Sequence, residues 1–194
     1  MSDDSRLTVR PSAESLVTWA NRSYITDRTR EQLLLADVLI VPNEGHIDRP
    51  DLVYFPVNTE DLLLSLKETE ELGFCADICI EDQDFKELAL YSDVITIATI
   101  VCTIFVAPLV VNIVSDWIDR KARRRRDDVE VRSKYTVHYP TGESVDISYE
   151  GPSETYLEFM IDALQKHSPN STHSVEQATS EELAEETDCD QVDC

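Results

Sequence analysis

Glycine is scarce in this sequence: four residues in 194, at positions 45, 73, 142 and 151. No two of them share a loop that would cradle a phosphate, which excludes the glycine-rich nucleotide-binding motifs. Gly-x-Ser-x-Gly, His-Glu-x-x-His and protein-kinase signatures are absent as well. The histidines at 46, 138, 167 and 173 have no spaced partner of the kind a metal site needs. Acids are so abundant that paired carboxylates arise by chance. The sequence thus assigns no catalytic, cofactor-binding or metal-binding residue, and the chain reads as a non-enzyme.

Cysteine is also sparse, at Cys75, Cys79, Cys102, Cys189 and Cys194. Their spacings do not form the tight Cys-x-x-Cys knuckle of most zinc sites, so isolated thiols in a reducing compartment are expected. Lysine is outnumbered, 5 against 12 arginines. An acidic chain poor in lysine resembles the proteins of halophilic archaea, whose carboxylates hold water and cations where salt screens their repulsion. The first residues are acidic and no apolar run follows them, so no cleavable signal peptide is expected.

The net charge is −22, unevenly placed. Residues 1–93 carry net −12, residues 116–134 net +3 and residues 135–194 net −13. Both outer parts repel nucleic acid, which is excluded as a partner. Residues 94–115 carry no charge at all. As a helix this stretch would cover about 33 Å, enough for a hydrocarbon core of about 30 Å. Val94, Ile100, Phe105, Pro108 and Val114 would lie along a single transmembrane helix kinked at Pro108. Trp117 would sit at the interface. Thr96, Thr99 and Thr103 would form a hydroxyl stripe, and Asn112 would be free to bond across a homo-oligomer.

The basic run Arg120, Lys121, Arg123, Arg124, Arg125 and Arg126 would meet lipid head groups. It would also place the C-terminal side in the cytoplasm at the cell membrane.

On either side the pattern is mixed. Leu7–Val9 suits a strand, and a helix starting at Pro11 with Ser12 as its cap would run to about Asn21. A second helix, Asp27–Ala36, would bury Leu33, Leu34 and Leu35. Val38–Val41 is a short apolar run suited to a buried strand, and Leu52–Phe55 a further strand. A helix from Asn58 or Thr59 to Leu72 would end at Gly73, followed by an alternating strand Phe74–Ile80. Glu81–Asp93 would be a polar, helical bridge.

Beyond the basic run, Tyr135, Val137 and Tyr139, then Val145, Ile147 and Tyr149, alternate around Pro140-Thr141-Gly142-Glu143, a β-hairpin with one apolar face. Tyr156, Phe159, Met160, Ala163 and Leu164 share a helical face in a helix capped by Ser153. From Ser168 the sequence loses periodicity and turns acidic, the composition of a disordered tail. The expected fold is α+β. An acidic α/β domain (1–93) precedes the membrane helix (94–115). A basic juxtamembrane segment (116–128), a ββα module (129–167) and the tail (168–194) follow it.

The order from Trp117 to Leu164 carries a resemblance. Trp117-Ile118-x-Arg120 and the basic run precede Val129-Glu130-Val131, then Tyr139-Pro-Thr-Gly-Glu-Ser-Val-Asp-Ile147 and a helix. This pattern resembles the effector-associated constant component family of prokaryotic conflict systems, over about two thirds of the chain. The chain departs from the family in an insertion through 40–85 and in the acidic tail. The resemblance implies an accessory protein that couples an effector, often a protease. The leading expectation is a membrane-anchored adaptor with a protein partner. Its alternatives are an oligomeric membrane effector, channel-like, or an archaeal viral envelope protein.

Overall fold

The computed structural model describes residues 5–46, 49–69, 73–89, 94–124 and 129–167, with backbone alone for 46 and 49–51. The acidic tail, Arg125, Arg126, Cys189 and Cys194 lie outside the described residues. In chain order the strands are β1 (Arg6–Ser12), β2 (Val38–Val41), β3 (Asn43–His46), β4 (Arg49–Pro56) and β5 (Ala76–Ile78), then β6 (Glu87–Leu88), β7 (Ile95–Thr96), β8 (Thr99–Thr103), β9 (Glu130–His138) and β10 (Ser144–Pro152). The helices are α1 (Leu16–Ala20), α2 (Asp27–Leu33), α3 (Thr59–Lys67), α4 (Ala107–Ala122) and α5 (Tyr156–Lys166).

The main sheet runs β1-β10-β9-β8-β2-β5, with β7 also paired to β9. Strand β8 is parallel to β9 and antiparallel to β2, so α4 is the crossover that returns the chain to β9. One sheet therefore joins the first strand of the chain, the apolar block and the C-terminal hairpin. A second, small sheet holds β3, β4 and β6.

Alternation along the central strands builds two cores. Val38 and Ile40 of β2, Ile100 and Cys102 of β8, and Tyr135, Val137 and Ile147 of the hairpin face α3, α4 and α5. Leu39, Val41 and Val101 face the other way and meet Trp19, Ala20, Ile25 and Leu33 around α1 and α2. A strand buried on both faces has no polar face to show, and β2 and β8 are of that kind.

This corrects the membrane-helix expectation. Among the described residues no helix is long and apolar enough to cross a membrane. Val94–Ser115 is instead β7, β8, a turn at 104–106 and the first half of α4. Ile100 is a fully buried strand residue and Val114 a fully buried helix residue. Phe105 lies in the turn, 79% exposed. Val94, half-buried, precedes β7. Pro108 starts α4 rather than kinking a longer helix. The first turn loses no hydrogen bond to proline, whose missing N–H would be unpaired there anyway. The threonines divide between β7 and β8. Asn112 is exposed and donates to Pro108 O of its own helix, 2.7 Å away. The cell-membrane location, the single-pass topology and the lipid contacts derived from that helix fall with it.

Other boundaries shift too. The predicted helix at Pro11 begins later, at Leu16, with Ser15 and Thr18 forming a reciprocal capping box, because Pro11 and Ser12 belong to β1. Helix α2 stops at Leu33, leaving Leu34 and Leu35 48% and 80% exposed. Helix α3 is assigned to Lys67, and residues 70–72, where its predicted end falls, are outside the described residues. Of the expected helical bridge Glu81–Asp93, residues 81–89 hold one 3₁₀ turn, Asp82–Asp84, and β6, and residues 90–93 lie outside the described residues.

The hairpin and its helix follow the sequence reading closely. Tyr135 faces Ile147 and Val137 faces Val145. Gly142, at φ +88°, takes the left-handed turn position that a side chain resists. Where β10 ends, a Cβ on Gly151 would come within 3.0 Å of both Ser5 Cα and the Tyr149 hydroxyl. Gly151→Ala is expected to cost about 1–3 kcal/mol by overpacking, read as a lower urea midpoint at unchanged m.

Candidate functional site

Two arrangements are candidates. The first lies where the end of β4, the start of α3 and the last turns of α4 meet. Amphipathic α4 turns Trp117 inward and brings Lys121 and Arg124 up beside it at helical spacing. Trp117 Nε1 donates to Asp61 Oδ2 at 2.7 Å. Lys121 Nζ lies 2.9 Å from the same oxygen and donates to Asn58 Oδ1 at 3.1 Å. It also sits 5.4 Å from the Trp117 ring centre. The preceding residue, Arg120, donates to Ser65 Oγ at 3.0 Å. Two of the residues expected to face lipid thus clamp α4 to α3, and Arg123 and Arg124 are exposed.

Asn58 holds φ +70°, the only non-glycine residue with positive φ among those described. That geometry aims its side chain at Lys121. The Glu87 carboxylate accepts from the backbone N–H groups of Asn58 and Glu60, at 3.1 and 3.0 Å, so the start of α3 is already occupied by an acid. Above this floor is a cavity of about 250 Å³ lined by Pro56, Val57, Leu88, Ile95, Trp117 and the two cations.

The Lys121 hydrogen bond, helped by that of Trp117, holds the Asp61 carboxyl below its ordinary range. A carboxyl with a lowered folded pKa adds stability that is complete above the unfolded value near 4 and lost as pH falls through the folded one. Asp61 is 57% exposed, so solvent screening keeps this contribution under about 1 kcal/mol. Asp61→Asn is expected to flatten the acid limb of a pH–stability curve slightly below pH 4 and to leave its shape near neutrality alone.

The second arrangement is the half-sheet β1, β10 and β9 on the side away from α5. Strand alternation and register set its rows: Arg6–Glu150–Arg132, Thr8–Ser148–Lys134, Arg10–Asp146–Thr136 and Ser12–Ser144–His138. Both acids stand on the central strand with basic residues on both sides. Arg132 Nη2 reaches Glu150 at 2.7 Å, and Lys134 Nζ reaches Asp146 at 2.8 Å. Asp146 also accepts from Thr136 at 2.7 Å. With Lys134 these bonds hold its carboxyl low, against a burial that acts to raise it. His138 Nδ1 bonds Ser144 Oγ at 3.0 Å. With Glu130, which shares the face of Arg132 and Lys134 on β9, four bases meet three acids here, so the patch is slightly net positive on a chain of charge −22.

The remaining reactive groups are shielded. Burial pushes the Cys79 and Cys102 thiols up to about 12, so neither is a thiolate near neutrality. Cys75 is exposed and Cys79 buried, and no group of three His, Cys, Asp or Glu residues that could hold a metal occurs among the described residues. Tyr135 and Tyr156 share a buried hydroxyl–hydroxyl bond of 2.7 Å under the hairpin, and burial raises both phenols.

Sequence reading found Lys121 and Arg124, though for a different role. It missed Asn58 and Asp61 as their partners, and no local signal pairs residues some sixty positions apart. No family model matches the chain, and no curated protein or solved structure is similar to it.

Proposed function

We propose that this chain is a non-catalytic accessory protein that works by holding another protein, with the open face of β1, β10 and β9 as its docking surface. The observation that carries the reading is the positive patch on an otherwise acidic molecule. Arg132 and Lys134 are neutralised by Glu150 and Asp146, and Arg6 and Arg10 on the outer strand bring charge that those two acids do not balance. Such a patch favours an acidic protein segment and orients it, while the acidic remainder of the molecule repels the same partner elsewhere. The short side chains between the charged rows, Thr8 and Ser148, leave room for a partner backbone to approach and bond. The resemblance at Trp117–Leu164 supports an effector of a prokaryotic conflict system as that partner.

The test is purification of the tagged chain from its own host, alongside a variant carrying Arg6→Gln and Arg10→Gln. A protein that co-purifies in constant ratio, leaves in moderate salt and is lost from the variant supports the reading. A chain that purifies alone, or a partner retained equally by the variant, refutes it. Both substituted positions are exposed, so the fold is expected to survive the change.

A further inference from the structure

We infer that the cavity between β4, β7 and the end of α4 is a binding site for a small organic carboxylate with an apolar body. Three observations carry this. Part of the wall is apolar, from Pro56, Val57, Leu88, Val94, Ile95 and the ring of Trp117, and Asn58 and Thr96 add polar groups to it. Two cations reach the cavity, Lys121 from the last turn of α4 and Arg124 from just past its end. The charge count there is uneven, because Asp61 neutralises Lys121 whereas Arg124 has no acid within ion-pair distance among the described residues. One free guanidinium over an apolar slot matches one carboxylate, which it grips with two parallel N–H groups.

Size narrows the ligand. A volume near 250 Å³ holds about eight waters at about 30 Å³ each, so a body of about eight to ten non-hydrogen atoms fits. Benzoate is of that size. The Asn58–Asp61–Trp117 network fixes Lys121 and the indole in place before a ligand arrives, which lowers the ordering cost of binding.

The sequence has two tryptophans, and the Trp19 indole N–H has no hydrogen-bond partner among the described residues. Trp19→Phe therefore leaves Trp117 as the only indole and a reporter in the wall of the site. Titrating this protein with benzoate is expected to change its fluorescence saturably, in the millimolar range or below. Benzamide, of the same shape without the charge, is expected to bind about tenfold more weakly, as is benzoate to Arg124→Gln, the loss of one charge-assisted hydrogen bond. Val57→Phe, at a residue 44% exposed on the rim, keeps both cations and fills the slot, and is expected to abolish binding. Absence of a saturable change, equal binding of benzamide, or unchanged affinity in either variant would overturn the assignment. Circular dichroism of each variant confirms that the fold is intact.

Discussion

Val101→Asp is expected to leave the chain unfolded at room temperature. Val101 is fully buried at the centre of β8, paired with Leu39 on one side and Thr136 on the other. Its side chain packs in the core that holds Trp19 and Leu33. Arg22, which lies over the Trp19 ring of that core, is already paired with Glu14 and Glu44. An uncompensated buried charge costs several kcal/mol, a large share of the roughly 5–15 kcal/mol that holds a domain together. Four residues along the same apolar stretch, Phe105→Asp is expected to change stability by no more than about 0.5 kcal/mol, since that ring is 79% exposed. Circular dichroism and urea melts of the two variants decide the matter. Equal damage from both would contradict the strand-turn-helix arrangement, because only a uniformly apolar surrounding treats the two positions alike.

The second large effect is expected at Trp117. Trp117→Ala removes an indole that is 2% exposed and leaves a void under α3 and α4, at a cost of about 3–5 kcal/mol. It also takes away a donor to Asp61, so the Lys121 ion pair loses its fixed geometry. Trp117→Phe separates the two contributions. It keeps most of the apolar volume, gives up the N–H, and is expected to lose clearly less than the alanine variant. Thermal melts of both, with ΔΔG taken at a common temperature, provide the comparison. If phenylalanine costs as much as alanine, the Asp61 hydrogen bond and not packing is what Trp117 supplies.

How much of this was legible from sequence depends on which residues had to meet. The hairpin was readable because alternation, a glycine turn and one solvent-facing side coincide within fifteen residues. Helix α5 was readable because its apolar positions repeat at helical spacing next to it. The block 94–115 misled for a physical reason. A strand covered by helices on both faces loses polar alternation, and the helix after it buries Val110, Val111, Ile113 and Val114 in its first half. Its charges begin only at Asp116. The joint between them, Ile104-Phe105-Val106, has none of the glycine, asparagine or proline that punctuates most turns. Two signals did point the right way. The block is dominated by β-branched residues with a single leucine, Leu109, and Pro108 is well suited to open a helix.

The candidate sites were legible only in part. The basic run was visible, and the place of Arg120 and Lys121 in the last turn of α4, where cations complement the helix dipole, accounts for those two. What Lys121 pairs with was not visible, because Asn58 and Asp61 arrive through the folding of a separate helix. The open face of β1, β10 and β9 was half visible. The hairpin strands were readable, but the charge excess comes from Arg6 and Arg10, and nothing local links β1 to a hairpin more than a hundred residues away.

That same pairing sets a timetable. Strand β1 is made well before β10, its only sheet partner among the described residues, and Ser5 bonds to Thr155 across 150 positions. At roughly 5–20 residues per second, β1 waits about 7–30 s on the ribosome before β10 exists. During that interval its Leu7 and Val9 have no hairpin to pack against. Nascent chains halted before Ser144 should therefore be cut by protease within residues 6–12. Chains released after Lys166 should resist there.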